Sequence, residues 1–377
     1  MEVRKTAKVV HMTTVHHPYD TRIFHKECTS LQKGGYDVSL IASMDKQEIQ
    51  KDTDVTMVPI KKRKNRLARM VFSTLEAYLK AKSLKADCYH IHDPELLPVG
   101  RLLKKKNNVV IYDVHEDYVT AMYQKEYFPK PIRKAVGAVY GFVEKILSKN
   151  MALCLAEKYY QEKYPSGICI LNYPALNDKL VNHQIDDQPA ENKILYTGNV
   201  SMERGAYIHA QIPNIDPSVS VHFIGKCPSS IAEKMYAEAG EKKEQLMIEG
   251  IDQFIEREEI DDKYISRKWL AGIALFPPTQ HYKKKELTKF FEYMSAGLPI
   301  LCSNFPVWKK FMDKYQCGIA VDPYNEEEIK EAIDYLRKHP EEARQMGMNG
   351  KKAVVRQLNW QKEEEKLINW YGALLKQ

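Results

Sequence analysis

The chain has 377 residues, 44% apolar and 28% charged, with a formal net charge of +7. Such a length exceeds one typical domain, and the balance excludes a fibrous or disordered protein. Seven cysteines without close pairs exclude a zinc ribbon or disulfide framework and point to a reducing compartment. No run of 18 apolar residues occurs, so no spanning helix is expected. The opening Met-Glu-Val-Arg-Lys-Thr runs straight into a strand-like segment, unlike a signal peptide. Residues 1–170 carry 29 Lys and Arg against 19 Asp and Glu, whereas the remainder carries 28 against 31. A basic first half suits an acidic partner: a phospholipid surface, a phosphorylated acceptor or nucleic acid.

In chain order, short β-branched runs at 9–15, 37–42, 55–60, 88–92, 109–114, 152–156 and 168–171 read as strands. Amphipathic stretches at 21–33, 67–84, 95–105 and 131–148 lie between them. The second half repeats the alternation, with strands at 194–196, 219–224, 246–249, 273–276, 299–302 and 319–321. Strand–helix alternation means parallel sheets covered on both faces, and thirteen strands exceed one comfortable sheet. Two doubly wound, Rossmann-like α/β domains are therefore expected, over 1–172 and 190–357, joined by a polar segment containing Pro174 and Pro189. A terminal helix at about 358–377, rich in Trp360, Leu367, Trp370 and Tyr371, follows the last strand and is expected to pack on the first domain. The apolar stripes of 67–84 and 131–148, the second comprising Ile132, Val136, Val139, Val143 and Ile146, have basic flanks such as Arg133, Lys134, Lys145 and Lys149. Such helices can lie on an anionic membrane, but packing on the sheet is the preferred reading.

Open α/β sheets bind ligands at the carboxyl ends of their strands, so the residues that follow each strand carry the chemistry. After the first strand come His16, His17, Asp20, Thr21 and Arg22, with no G-x-G-x-x-G and hence no dinucleotide expected. Asp20 or Thr21 suits a helix N-cap, and Arg22 in a first turn opposes the helix dipole, which favours a role for it at the site. After the fourth strand, His90 and His92 share one face beside Asp93; with no third ligand nearby they read as a polar wall rather than a metal site. After the fifth, His115 sits among Asp113, Glu116 and Asp117, a setting that tunes a histidine for function. In the second half, Thr197-Gly198-Asn199 through Arg204-Gly205 joins a strand to a helix. Glycines and a cation there can hold a diphosphate. The helix 286–296 buries Leu287, Phe290, Phe291 and Met294, leaving Lys289 and Glu292 together on the opposite face: a surface ion pair, or a phosphate contact and a ribose carboxylate.

Taken together, His11 through Glu27, His90 through Pro98, Tyr112 through Glu116, Gly198 through Gly205 and Lys289 through Pro299 resemble, in order, retaining bacterial glycosyltransferases of the GT-B fold, the family 4-like group. The resemblance implies two Rossmann-like domains facing a central cleft, acceptor side first and donor side second, with the terminal helix crossing back. It implies transfer of a sugar from a nucleotide diphosphate sugar, with retained configuration and without a metal or other cofactor. His115 and Asp93 would be the catalytic positions. Gly198, Asn199, Arg204, Lys226, Lys289 and Glu292 would bind the donor, and His17, Asp20, Arg22 and His92 would line the acceptor side. The partners implied are a nucleotide sugar and a glycan or lipid-linked acceptor. The setting implied is cell-surface polysaccharide synthesis in the cytoplasm; the basic first half and the basic-flanked helices, rather than the resemblance, add an anionic membrane surface as a further expected partner. Three departures stand out: Lys284 where the family has a second donor carboxylate, Asn199 where many members have Arg, and a first loop without paired glycines. The rival readings are a nucleotide-sugar 2-epimerase on the same fold and a basic, catalytically impaired membrane-binding relative. No nucleic-acid motif is present.

Overall fold

The aliphatic runs become thirteen strands among residues 6–49, 53–115, 130–184 and 190–376, the residues described by a computed structural model. Two compact units divide the chain: one runs to Asn172 and resumes at Trp360–Gln377, the other spans Tyr173–Asn359.

The first unit is a parallel sheet of β1 (Lys8–Met12), β2 (Asp37–Ser43), β3 (Thr56–Ile60), β4 (Cys88–Ile91), β5 (Val109–Val114), β6 (Ala152–Leu155) and β7 (Ile168–Cys169), in the order β3-β2-β1-β4-β5-β6-β7. The order reverses between β1 and β4, whose registers place His11 opposite His90. One face of the sheet carries α1 (Thr29–Lys33), which continues a π-helical turn over Ile23–Cys28. The other face carries α2 (Thr74–Leu84), α3 (Leu97–Leu103) and α4 (Lys130–Leu147). β1 does not run on to residue 15: Thr13 N still donates to the Ile41 carbonyl at 2.9 Å, but Thr14 N turns to the Asp93 side chain, donating to Oδ2 at 2.6 Å.

The second unit is a parallel sheet of β8 (Lys193–Thr197), β9 (Ser220–Cys227), β10 (Leu246–Ile251), β11 (Ala271–Ala274), β12 (Ile300–Ser303) and β13 (Gly318–Val321), ordered β10-β9-β8-β11-β12-β13. Its order reverses between β8 and β11, so the β8 loop opens at the switch point, where open α/β sheets bind ligands. The helices of this unit include α5 (Ala206–Ala210), α6 (Arg257–Ile265) and α7 (Thr288–Ala296). The chain closes with α8 (Trp360–Leu375), which packs on the first unit: Trp360 Nε1 donates to Ser30 Oγ at 3.0 Å, Glu363 accepts from Leu171 N at 2.8 Å, and Leu367 and Tyr371 are buried there.

Two expectations need correction. The segment 172–192, read as a linker, contains a helical turn at Asp178–Asn182, with Lys179 N donating to Asn177 Oδ1 at 3.0 Å. Leu180 is buried, and Tyr173 packs on Phe291 with ring centroids 4.7 Å apart. Five helical residues are too few to show periodicity, and burial fixes them. The second correction concerns α2 and α4, which were expected to pack through their apolar stripes. Instead they face inward through Ala77, Ala81 and Gly137 and leave the stripes at the surface. Ile132, Arg133 and Lys134 have side chains outside the described set, as do Glu116 and Asp117 entirely. All seven cysteines are free. Among the described residues no helix is long and apolar enough to cross a membrane.

Candidate functional site

In the first unit the strand ends build a buried charged cluster. Arg22 forks onto Asp113, Nε to Oδ2 at 2.9 Å and Nη2 to Oδ1 at 2.8 Å, while Nη1 donates to the Ile170 carbonyl at 2.9 Å. Arg22 Nη2 also lies 3.0 Å from Glu27 Oε1. A planar guanidinium satisfies two carboxylates and a carbonyl at once, which a lysine ammonium could not do in this geometry. Burial opposes ionisation of Asp113, but Arg22 and the hydrogen bonds from His115 and His92 hold it well below the usual carboxylate range. Glu27 has the weaker share of Arg22: burial, reinforced by the neighbouring Asp113, pushes it up to about 8.

Around these charges the histidines form a chain. His92 Nδ1 is 3.1 Å from Asp113 Oδ2, and His92 Nε2 is 2.9 Å from His11 Nδ1. His90 Nδ1 is 2.7 Å from the Tyr371 hydroxyl on α8. Burial lowers the pKa of His11, His90 and His92, so these rings are neutral at neutral pH. His115 differs. Burial works against its charge, but Nδ1 lies 3.2 Å from Asp113 Oδ2 and this contact raises its pKa. His115 Nε2 meets His16 Nε2 at 2.9 Å, and these two rings, 11% and 17% exposed, form the solvent rim of the cluster.

The acceptor-side expectations therefore divide. Arg22 and His92 are sealed inside the unit, and the ion pair with Asp113 explains why Arg22 tolerates an opposing helix dipole. Asp20 precedes the helical turn rather than capping it at its boundary residue, Arg22, and its Oδ1 accepts from Arg22 N at 2.8 Å and Ile23 N at 3.0 Å. His17 is exposed, and its Nδ1 accepts from Tyr19 N at 3.2 Å. Asp93 is fully buried, and its Oδ2 holds the turn after β1 through Thr13 Oγ1, Thr14 N and Val15 N, while Oδ1 lies 3.3 Å from His16 Nε2. This is a positioning place for Asp93, one residue removed from the rim.

Sequence reasoning found no third partner for His90 and His92, yet the fold brings His11 and Glu27 to them, four ligand-type atoms within 4.8 Å of one another. Three histidines and a carboxylate are chemically a zinc-binding set. Here, however, the three rings are already hydrogen-bonded within the protein and Glu27 faces Arg22. His11 Nε2 and His90 Nε2 have no hydrogen-bond partner among the described residues. Glu27 lies some sixty residues from His90, so no local pattern announces it.

The second unit offers a more open site. Gly198 at φ +85° ends β8, and Gly225 must lack a side chain because its Cβ would fall 2.3 Å from the Gly198 carbonyl oxygen. Val200 N donates to the Lys226 carbonyl at 2.9 Å, which ties the loop to β9 and leaves the Lys226 side chain exposed. Arg204, half-buried, reaches the Tyr282 hydroxyl at 3.3 Å and the Asn199 carbonyl at 3.4 Å, both long contacts to neutral groups. Lys289, expected on an open helix face, is instead buried: Nζ donates to the Thr197 carbonyl and sits 4.0 Å from the Tyr196 ring centre. Burial brings its pKa down to about 7, with Glu292 pulling upward and Arg204 downward. Glu292 stays partly exposed. It accepts from Tyr264 OH at 3.0 Å and from the guanidinium of Arg257 on α6, a partner that sequence distance hid. Thus Arg204, Lys289 and the start of α7 set positive potential beside a glycine-built loop, with a carboxylate one turn along the helix.

The comparisons add to this geometry. Residues 265–369 match the family model described as glycosyl transferase-like. No curated protein matches the sequence. Among solved structures, sucrose-phosphate synthase from Thermosynechococcus elongatus superposes with a TM-score of 0.73 at 16% identity, covering 98% of this chain and 99% of that one. Anabaena HepE, described in complex with UDP and glucose, gives 0.68 at 10% identity over 98% and 100% of the two chains. WaaG, described as a glycosyltransferase of lipopolysaccharide biosynthesis, gives 0.65 at 14% identity over 95% and 98%. The fold is the two-domain GT-B architecture.

Proposed function

We propose that this chain is a glycosyltransferase that moves a sugar from a nucleoside diphosphate sugar to a hydroxyl of a glycan or lipid-linked acceptor, with the anomeric configuration retained. The observation that carries the reading is the second-unit site: a glycine loop at the end of β8, the cation Arg204 at its edge, Lys289 buried against the loop and Glu292 one helical turn away. Glu292 accepts the ribose hydroxyls in place of part of its bonding to Arg257. Arg204, Lys289 and the amides at the start of α7 hold the diphosphate. As the bond from the anomeric carbon to the phosphate oxygen breaks, the acceptor oxygen attacks the same face and passes its proton to the leaving phosphate. The two cations stabilise the charge on that leaving group without a metal. The catalytic role in the first unit falls to His115, fixed by Asp113 and presented at that unit's solvent rim. The match over residues 265–369 and the GT-B fold of proteins described with UDP and glucose support this reading. The setting that suits it is assembly of a cell-surface polysaccharide on the cytoplasmic side.

The test is a thermal-shift panel of UDP, GDP, ADP, CMP and dTDP with their common sugars. A ligand bound only by the folded state at a hundredfold excess over Kd stabilises by about 2.7 kcal/mol. The expected result is a clear shift with one nucleoside diphosphate, followed by transfer of its sugar only when an acceptor is present. Turnover without acceptor would move the reading to the epimerase. No shift with any nucleotide would overturn it.

A further inference from the structure

The helices on one face of the first sheet are amphipathic the wrong way round. Among the described side chains of α4, Gly137 and Glu144 are turned inward with Leu147 half-buried against the core, and Glu144 is 3% exposed, accepting from Tyr112 OH at 2.8 Å. The residues turned outward are Val136, Val139, Phe142, Val143 and Ile146, with Val139 63% and Phe142 66% exposed. The same inversion holds along 66–84. Ala77 and Ala81 are buried against the sheet, while Leu67, Val71, Leu75 and Leu79, spaced by four, form an exposed stripe joined by Phe72. Between these helices α3 packs on both and exposes Leu102. Three adjacent helices thus share one apolar outer face, far beyond the isolated exposed leucine of an ordinary surface.

The surrounding charge is one-sided. Residues 61–85, 97–108 and 135–149 contain fifteen Lys and Arg and only two acids, Glu76 and the buried Glu144. Glu76 is itself paired with Arg63. Lys64, Arg66, Lys82, Lys85, Arg101 and Lys104 are exposed.

From the apolar face and its basic surround we infer that α2, α3 and α4 form a docking surface for an anionic lipid bilayer. The apolar stripes enter the acyl boundary and the cations meet the headgroups, the arrangement that interfacial helices use. The charge decides against a second copy of this chain, because two such faces would oppose fifteen cations to fifteen. This inference does not depend on sugar transfer.

The experiment is co-sedimentation of the full chain with vesicles of phosphatidylcholine alone or with about one third phosphatidylglycerol, at low and at high salt. V139E/F142E and L75E/L79E change only exposed positions, so both should fold, which circular dichroism checks. The expected result is pelleting with anionic vesicles only, weakened by salt, with the partition coefficient reduced at least about tenfold in each double variant. Failure of the wild type to bind anionic vesicles would overturn the proposal, as would unchanged binding by both variants. A wild-type dimer made monomeric by these substitutions would also overturn it, by assigning the face to a second copy. A failed nucleotide panel with intact vesicle binding separates this surface from the transferase reading.

Discussion

The two units hold their charged groups in opposite ways. In the first, Arg22, Asp113, Glu27 and three histidines are buried and hydrogen-bonded or ion-paired to one another at about 3 Å, while His11 Nε2 and His90 Nε2 have no hydrogen-bond partner among the described residues. In the second, Arg204 makes only long contacts to neutral oxygens, Lys226 is exposed, and Glu292 has an exposed arginine as partner. A buried network of this kind fixes the position of a neighbouring group. Loosely held charges at a switch point can exchange their partners for a diphosphate and a ribose. The histidine-rich cluster, more conspicuous in the sequence, is largely buried behind His115, while the plainer β8 loop keeps its charges more accessible.

The largest effect that would sharpen this contrast is in the scaffold. Arg22→Met leaves the ionised Asp113 buried without its cation, which costs ~3–5 kcal/mol and lowers the melting temperature by roughly 10 °C. A shift of a degree or so would mean that the Arg22–Asp113 pair does not hold the cluster. Next comes the rim: His115→Ala should cut turnover about a hundredfold while nucleotide affinity, read by calorimetry, stays within about twofold. Unimpaired transfer removes His115 from the reaction. In the second unit, Glu292→Gln should weaken the nucleoside diphosphate about tenfold or more, because it removes hydrogen bonds to a charged group. The ligand-free melting temperature should hardly move, since the Arg257 partner is 54% exposed and screened. Unchanged affinity would take Glu292 out of the donor site.

The smallest effect concerns pH. Glu27 holds its proton in the folded chain up to about 8, against 4.5 when unperturbed. The folded state therefore binds the extra proton, and this contribution to stability is full below 4.5 and lost as pH rises to about 8. Glu27→Gln keeps the neutral form at every pH, so its melting temperature should fall less than that of the wild type between about pH 5 and about pH 8. Parallel curves would show that Glu27 ionises freely in the fold.

Much of the fold was legible because parallel strands buried on both faces must be continuous apolar runs. All thirteen expected strands correspond to observed ones, with differences mainly at their ends. Gly198, Gly205 and Gly297 were readable as punctuation, and each has a positive φ. Site roles were less legible. Lys289 and Glu292 were correctly placed on α7, but periodicity treats a helix as having one buried stripe. It could not show that α7 is buried nearly all round, which seals Lys289 against Thr197. For Arg22 and His92, sequence supplied the residue types but not the carboxylates that enclose them.

What the sequence determined by itself is the order of elements, the doubly wound class and the return of the terminal helix, since these follow from local runs of hydrophobicity and the need of each apolar face for cover. Tertiary structure alone decided the pairing of Glu27 with a histidine cluster, of Arg257 with Glu292, and the turning of α2 and α4 with their small residues inward. Each depends on groups distant in the chain meeting at one depth of burial. There, desolvation and the size of the available space, rather than periodicity, select which side chain faces in.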